Sequence, residues 1–319
     1  MKGRYRVVVR TNRVQYKFTV NRNITILNGD SATGKTTLID MVGDYDENGS
    51  ESGVWLECDR PCRVLAGRDW KARLAAIEDS IVFIDEGNEF ITTKEFAEAI
   101  AQTSNYYVIA TREPLFELPY SVEEIYGIRN RTRKRYEHFS RYYSSTYRLF
   151  NTEVKPSRPN EVIVEDSGSG YRFFKALCDK AEIRCVSAGG KDNILRLVRS
   201  SNAESILVIA DGAAFGPEME RVHAACRARG AQLYLPESFE WLILSSGLIK
   251  DDELPKLLEN PSEFIESRDY FSWEQFFTAM LTRMTRNTPF AYQKKRLRKA
   301  YLDSGAVAAV RAVMPDVGL

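Results

Sequence analysis

The apolar residues of this chain follow two rhythms, and the places where one gives way to the other mark its elements. Residues 4–10 (RYRVVVR) and 14–20 (VQYKFTV) are rich in β-branched and aromatic residues, and the TNR between them predicts a hairpin turn. ITIL at 24–27 is a short apolar strand that runs into a glycine-containing loop, and TTLIDMVGDY reads as a helix. Residues 44–53 (DYDENGSESG) are polar and turn-rich, which predicts a loop. DWKARLAAIED has helical spacing, SIVFIDEGNEF is an apolar strand ending in acids, TTKEFAEAIAQTS is an amphipathic helix with a threonine cap, and YYVIATRE is a further strand. Strands alternating with helices predict a parallel sheet covered on both faces.

The alternation breaks at 129–160, where RNRTRKRYEHFSRYYSSTYRLFNTEVKPSRPN is basic, aromatic and finally proline-containing, so a linker and a domain boundary are expected there. A second alternation follows. EVIVED, IRCVSAG, SILVIADG and AQLYLP predict strands, separated by helices at YRFFKALCDKA, KDNILRLVRSS and GPEMERVHAACRARG. Residues 237–319 read as mostly helical, with breaks at Pro255, Pro261 and Pro289. The expected organisation is an α/β domain at 1–128, the linker at 129–160, a parallel α/β domain at 161–240 and a helical tail at 241–319.

Composition narrows the partners. The 319 residues favour two domains, and 44% hydrophobic with 28% charged residues suits a sizeable core under a well-solvated surface. The formal net charge is +1, so any argument for nucleic acid must come from local patches. There is no long apolar run and no signal-like start, so no membrane partner and a cytoplasmic location are expected. Five irregularly spaced cysteines and two histidines offer no zinc-ligand set, and reduced thiols are expected.

Two stretches carry chemistry. GDSATGKTT at 29–37 matches G-x-x-x-x-G-K-[ST] at Gly29, Gly34, Lys35 and Thr36, between a strand and a helix. In such a loop, backbone amides and the helix N-terminus cradle phosphates. Gly29, Asp30, Ser31, Ala32, Thr33, Gly34, Lys35, Thr36 and Thr37 are therefore expected to bind a nucleoside triphosphate. Lys35 would reach the β- and γ-phosphates, and Thr36 would hold Mg²⁺. IVFIDE supplies the partner acids: Asp85 for Mg²⁺ and Glu86 to polarise an attacking water. This half resembles the ABC-type ATPases, including small AAA-like ATPases found with bacterial defence nucleases. The resemblance implies a P-loop NTPase sheet, ATP as ligand and hydrolysis as activity. The chain departs from that pattern in having no LSGGQ-like signature, and Thr111 and Arg112 stand where the family has a histidine.

The second stretch is VIVEDSGSGYRFF at 162–174, with Glu165 and Asp166 at a strand end. Together with ILVIADGAAFG, which contains Asp211, it resembles the Toprim fold of topoisomerases, primases and OLD-family nucleases. In that fold a Glu ends the first strand and a D-x-D motif ends the third. Glu240 in LPESFEWLIL matches a further Glu of OLD-like proteins. The resemblance implies a Toprim-like parallel α/β domain whose Glu165, Asp211 and Glu240 hold Mg²⁺ or Mn²⁺ and cut nucleic acid. It also implies ATP-gated cleavage in an antiviral defence role, with a second copy or a partner defence protein as the associate. Ala213 replaces the second aspartate of D-x-D, and this supports the alternative of a regulatory or partner-binding protein with an inactive Toprim-like domain. A small-molecule kinase built on the P-loop is a third class. The basic and aromatic residues of 129–150 have the composition of a single-strand nucleic-acid surface, or of a connector packed between sheets. YQKKRLRKAY at 292–301 reads as a solvated helix face.

Overall fold

The computed structural model describes residues 1–30, 33–136 and 139–319, with the backbone alone described at 130–136 and 139–143. It shows an α/β protein in two units. The first comprises Met1–Phe150 and Asn260–Phe271, the second Asn151–Glu259 and Ser272–Leu319. The division falls at the end of the basic stretch, and the expected helical tail contributes to both units.

Among the described residues the first unit holds nine strands: β1 (Tyr5–Arg10), β2 (Val14–Val20), β3 (Ile24–Leu27), β4 (Trp55–Glu57), β5 (Cys62–Val64), β6 (Ile81–Ile84), β7 (Tyr106–Ala110), β8 (Ile125–Tyr136) and β9 (Phe139–Arg148). They form one mixed sheet in the order β4-β1-β2-β9-β8-β3-β7-β6-β5. Its β8-β3-β7-β6-β5 half is parallel throughout. β3, β6 and β7 are buried along their whole length, which explains their unbroken apolar runs. The hairpin of β1 and β2 forms as its alternation demands, closed by the Thr11 amide donating to the Val14 carbonyl at 2.9 Å.

Helices α1 (Lys35–Asn48), α2 (Trp70–Leu74) and α3 (Lys94–Ile100) complete this unit. α1 extends into the segment expected to be a loop. Leu38, Ile39, Met41 and Val42 bury one of its faces, so polar residues on the other face cost nothing, and Gly49 at φ 56° ends it. α2 is shorter than its spacing suggests, because the chain turns at Asp79 (φ 46°) to enter β6. The expected linker is also corrected. Its first part is the β8–β9 hairpin, with β8 pairing β3 and β9 pairing β2 in parallel. Successive charged residues hid the two-residue period, and it is the partner strands that fix this register.

In the second unit β10 (Glu161–Val164), β11 (Arg184–Ser187), β12 (Ile206–Ile209) and β13 (Gln232–Tyr234) form a parallel sheet in the order β11-β10-β12-β13. The chain leaves β10 for one side and returns to β12 on the other, so a crevice is expected beyond the carboxyl ends of β10 and β12. Val162, Ile163, Val164, Leu207, Val208 and Ile209 are buried, each stabilising the unit by about 1.5–3 kcal/mol. The helices are α4 (Ser169–Lys180), α5 (Ile194–Ser200), α6 (Gly216–Arg229), α7 (Phe239–Ser245), α8 (Leu254–Glu259), α9 (Trp273–Thr285) and α10 (Ser304–Ala312). Residues 292–301 are not the helix face expected of them. Irregular chain runs there as far as a 3-10 turn at Lys299–Leu302. All five cysteines are free thiols. No helix among the described residues is long and apolar enough to cross a membrane.

Candidate functional sites: a phosphate loop and an acid cluster

β3 delivers the chain into the glycine loop, and α1 begins at Lys35, so the lysine, the loop and the helix N-terminus meet at one point. Gly34 has φ 96°, and a Cβ there would lie 2.6 Å from the Tyr16 hydroxyl. Only glycine fits, because Tyr16 of β2 donates to the Gly34 carbonyl at 2.9 Å. Burial raises the Tyr16 pKa, against hydrogen bonds with Thr37 and Ser144. Lys35 is buried, and its Nζ donates to the loop's own carbonyls, Gly29 at 2.5 Å and Asp30 at 3.2 Å. Ser31 and Ala32, also expected here, lie outside the described residues.

β6 ends at Ile84 and places Asp85 and Glu86 at the carboxyl edge of the sheet, one strand removed from β3. The Asp85 Oδ1 accepts the Glu86 amide at 2.9 Å. The Glu86 carboxylate takes a two-pronged ion pair from Arg112, with Nε at 3.1 Å and Nη2 at 2.5 Å. The Thr111 amide donates to the Leu27 carbonyl at 3.1 Å, which ties the segment carrying Arg112 to the strand before the loop. Thr33, Gly34, Lys35, Thr36, Thr37, Glu86 and Arg112 line one depression of about 100 Å³. Asp40 was missed by sequence reasoning. It lies one helical turn after Thr36, and burial and the charges of Asp85 and Asp44 push its carboxyl pKa up. The four-residue spacing from Thr36 was the available signal.

In the second unit Glu165 follows β10 and Asp211 lies just past β12, so the crevice brings the two together. The Asp211 amide donates to Glu165 Oε2 at 3.0 Å, and the Phe239 amide donates to Asp211 Oδ1 at 3.1 Å. Ser238 caps α7 through the Trp241 amide, which puts Glu240 in the first turn. Glu240 is only 1% exposed; its Oε1 accepts from the Tyr292 hydroxyl at 2.7 Å, and its Oε2 has no partner. Lys294 forms an ion pair with Glu274 of α9.

The charges respond to one another. Burial pushes the Glu165 carboxyl up to about 7; the Asp211 amide opposes this, Glu274 adds to it, and Lys191 and Lys294 oppose it. Asp211 is raised well above the ordinary range by burial and by the charges of Glu274, Glu240 and Glu165. Burial alone would lower the Lys294 pKa, but Glu274, Glu240 and Asp211 outweigh it and hold the ammonium more firmly protonated. Lys294, together with Lys191, therefore supplies positive charge to this acid cluster. Lys294 and Tyr292 lie in the YQKKRLRKAY segment expected to be a solvated helix face, and Glu274 carried no sequence signal.

Asp166 plays a different part. Its carboxylate accepts the amides of Gly168 (2.7 Å), Gly170 (2.7 Å) and Tyr171 (3.4 Å), so DSGSG is an acid-capped helix start whose amides are already taken. Ala213 is buried, and its amide donates to the Glu237 carbonyl at 3.1 Å in a turn packed on 235–237. Among the described residues no group of three or more His, Cys, Asp or Glu is placed to hold a metal ion. Glu165, Asp211 and Glu240 are thus not such a group, although they share one electrostatic neighbourhood.

In the basic stretch, the Arg129 guanidinium lies 4.8 Å over the Tyr147 ring, and Arg148 pairs with Glu123. The side chains of Arg131, Arg133, Lys134, Arg135, Tyr136, Phe139, Arg141, Tyr142 and Tyr143 lie outside the described residues. Comparison with family models, curated proteins and solved structures finds no match to this chain.

Proposed function

We propose that the chain is a nucleotide-dependent protein whose first unit binds and hydrolyses ATP with Mg²⁺. The observation that carries this reading is the gathering of Lys35, Thr36, Glu86 and Arg112 around one small depression at a helix N-terminus. The ammonium of Lys35 rests on backbone carbonyls and has only to rotate to meet anionic oxygens. Thr36 and Asp85 supply the oxygen donors that Mg²⁺ prefers, and the ion would neutralise phosphate charge there. Glu86 acts as the water-orienting base once Arg112 lets go of it. Titration with a fluorescent ATP analogue tests this. Lys35→Ala is expected to weaken binding by about 100-fold, the loss of one or more charge-assisted contacts. Equal affinity in wild type and variant overturns it.

For the second unit, the reading favoured by the geometry is a Toprim-like regulatory or partner-binding module whose acids are satisfied by the chain's own groups. Ala213, the Lys294 ammonium and the amides of Asp211 and Phe239 support it. The second reading, a Mg²⁺- or Mn²⁺-dependent nuclease gated by nucleotide in a defence role, is favoured by one observation: the unpartnered Oε2 of Glu240 beside Glu165 and Asp211. Plasmid and RNA incubated with Mn²⁺ and ATP separate the two. Cleavage lost in Glu165→Ala establishes the nuclease, and no cleavage with ATP binding intact establishes the regulator.

A further inference from the structure

The segment that follows α9 lines a cavity whose charged side chains are all cationic. Arg172, from the first turn of α4, and Arg296, Arg298 and Lys299 line a space of about 710 Å³ together with Pro289, Gln293, Leu297 and Ala300. That volume lies in the range of small-molecule sites, about 300–1,000 Å³. Among the described residues no Asp or Glu lines it. Among the described residues none of the four cations has a carboxylate within 4.0 Å, whereas nearby Lys294 is paired with Glu274 and Lys175 with Asp179.

These charges stand on a fixed backbone. Ser169 of α4 donates its amide to the Lys294 carbonyl at 2.8 Å and its hydroxyl to the Gln293 carbonyl at 2.7 Å. A Cβ on Gly168 would lie 2.2 Å from the same Lys294 carbonyl, so glycine is required for the approach. Tyr292, Leu297 and Tyr301 are buried, and the Tyr301 hydroxyl donates to the Phe290 carbonyl at 2.6 Å. Unpaired like charges held side by side repel one another, and a polyanion relieves that repulsion. The guanidinium fork suits phosphate oxygens in particular.

We propose that this cavity binds a free phosphate-bearing ligand of nucleotide size. Its phosphates would meet Arg172, Arg296, Arg298 and Lys299, and its uncharged part would lie against Pro289, Leu297 and Ala300. This site is independent of the phosphate loop of the first unit, and the test keeps them apart. Full-length Lys35→Ala protein is titrated calorimetrically, at low and at moderate salt, with ATP, inorganic triphosphate and a single-stranded thymidine oligonucleotide. Saturable binding of ATP or triphosphate is expected, weakened about tenfold or more in R296E/R298E and separately in R172E. All three substitutions fall on exposed side chains, so thermal melts should match the parent. No saturable binding by any probe, or equal affinity in the charge-reversed variants, overturns the proposal. Preferential binding of the oligonucleotide, with a salt slope that grows with its length, assigns the cavity to a strand and also overturns it.

Discussion

The glycine loop of the first unit and the acid cluster of the second handle strong charges in opposite ways. At the loop, Lys35 sits on weak backbone acceptors and Glu86 on an Arg112 side chain that is itself half exposed. Both partners are readily exchanged for a ligand. In the acid cluster, Glu165 and Asp211 each hold a backbone amide, and Glu240 holds a buried tyrosine hydroxyl. Those donors belong to the fold and cannot leave without unfolding it locally. The charges at the loop rest on replaceable partners, whereas those of the acid cluster are held by the scaffold itself.

The largest effect expected from breaking this contrast is at Tyr292. Tyr292→Phe leaves the buried Glu240 carboxyl without any hydrogen bond and is expected to cost about 2–3 kcal/mol, read from the urea midpoint. An unchanged midpoint would mean that the cluster is not closed in the way described. Next comes the pH dependence of Glu165. Its folded pKa, near 7, is above the ordinary carboxyl value of 4.5, so the folded protein binds the proton more tightly than the unfolded chain does. The resulting stabilisation is fully present below pH 4.5 and is lost as pH rises through 7. Glu165→Gln, which keeps an acceptor for the Asp211 amide and carries no charge, should therefore be more stable than the parent at pH 8 and little changed at pH 4. A uniform change across pH would remove burial as the cause. The smallest effect on stability is at Arg112. Arg112→Ala breaks a largely exposed ion pair and should shift the midpoint by less than about 1 kcal/mol. Yet it frees Glu86, so steady-state ATP turnover should rise several-fold. A fall in turnover would instead place Arg112 on the phosphate.

The glycine loop was easy to find in the sequence because its signal is local. A glycine-lysine-threonine sequence lies between an apolar strand and a helix, and Asp85 and Glu86 announce themselves at the end of a four-residue apolar run, whereas Arg112 joins them only through the fold. The basic stretch misled because strand identity there depends on partners rather than on alternation. The acid cluster was half legible. Strand ends pointed to Glu165 and Asp211, but Lys294 and the cap, Tyr292, come from a segment expected to be a solvated helix face.

The sequence alone determined most of the alternation of strands and helices, the position of the glycine loop and the strand ends that carry acids, because each rests on contacts between near neighbours in the chain. Which lysines supply charge to the buried carboxylates, which tyrosine closes over Glu240 and which arginines converge on the cationic cavity were decided only by tertiary structure. Those pairings join residues dozens of positions apart, and their energies come from burial and mutual charge, which exist only once the chain has folded.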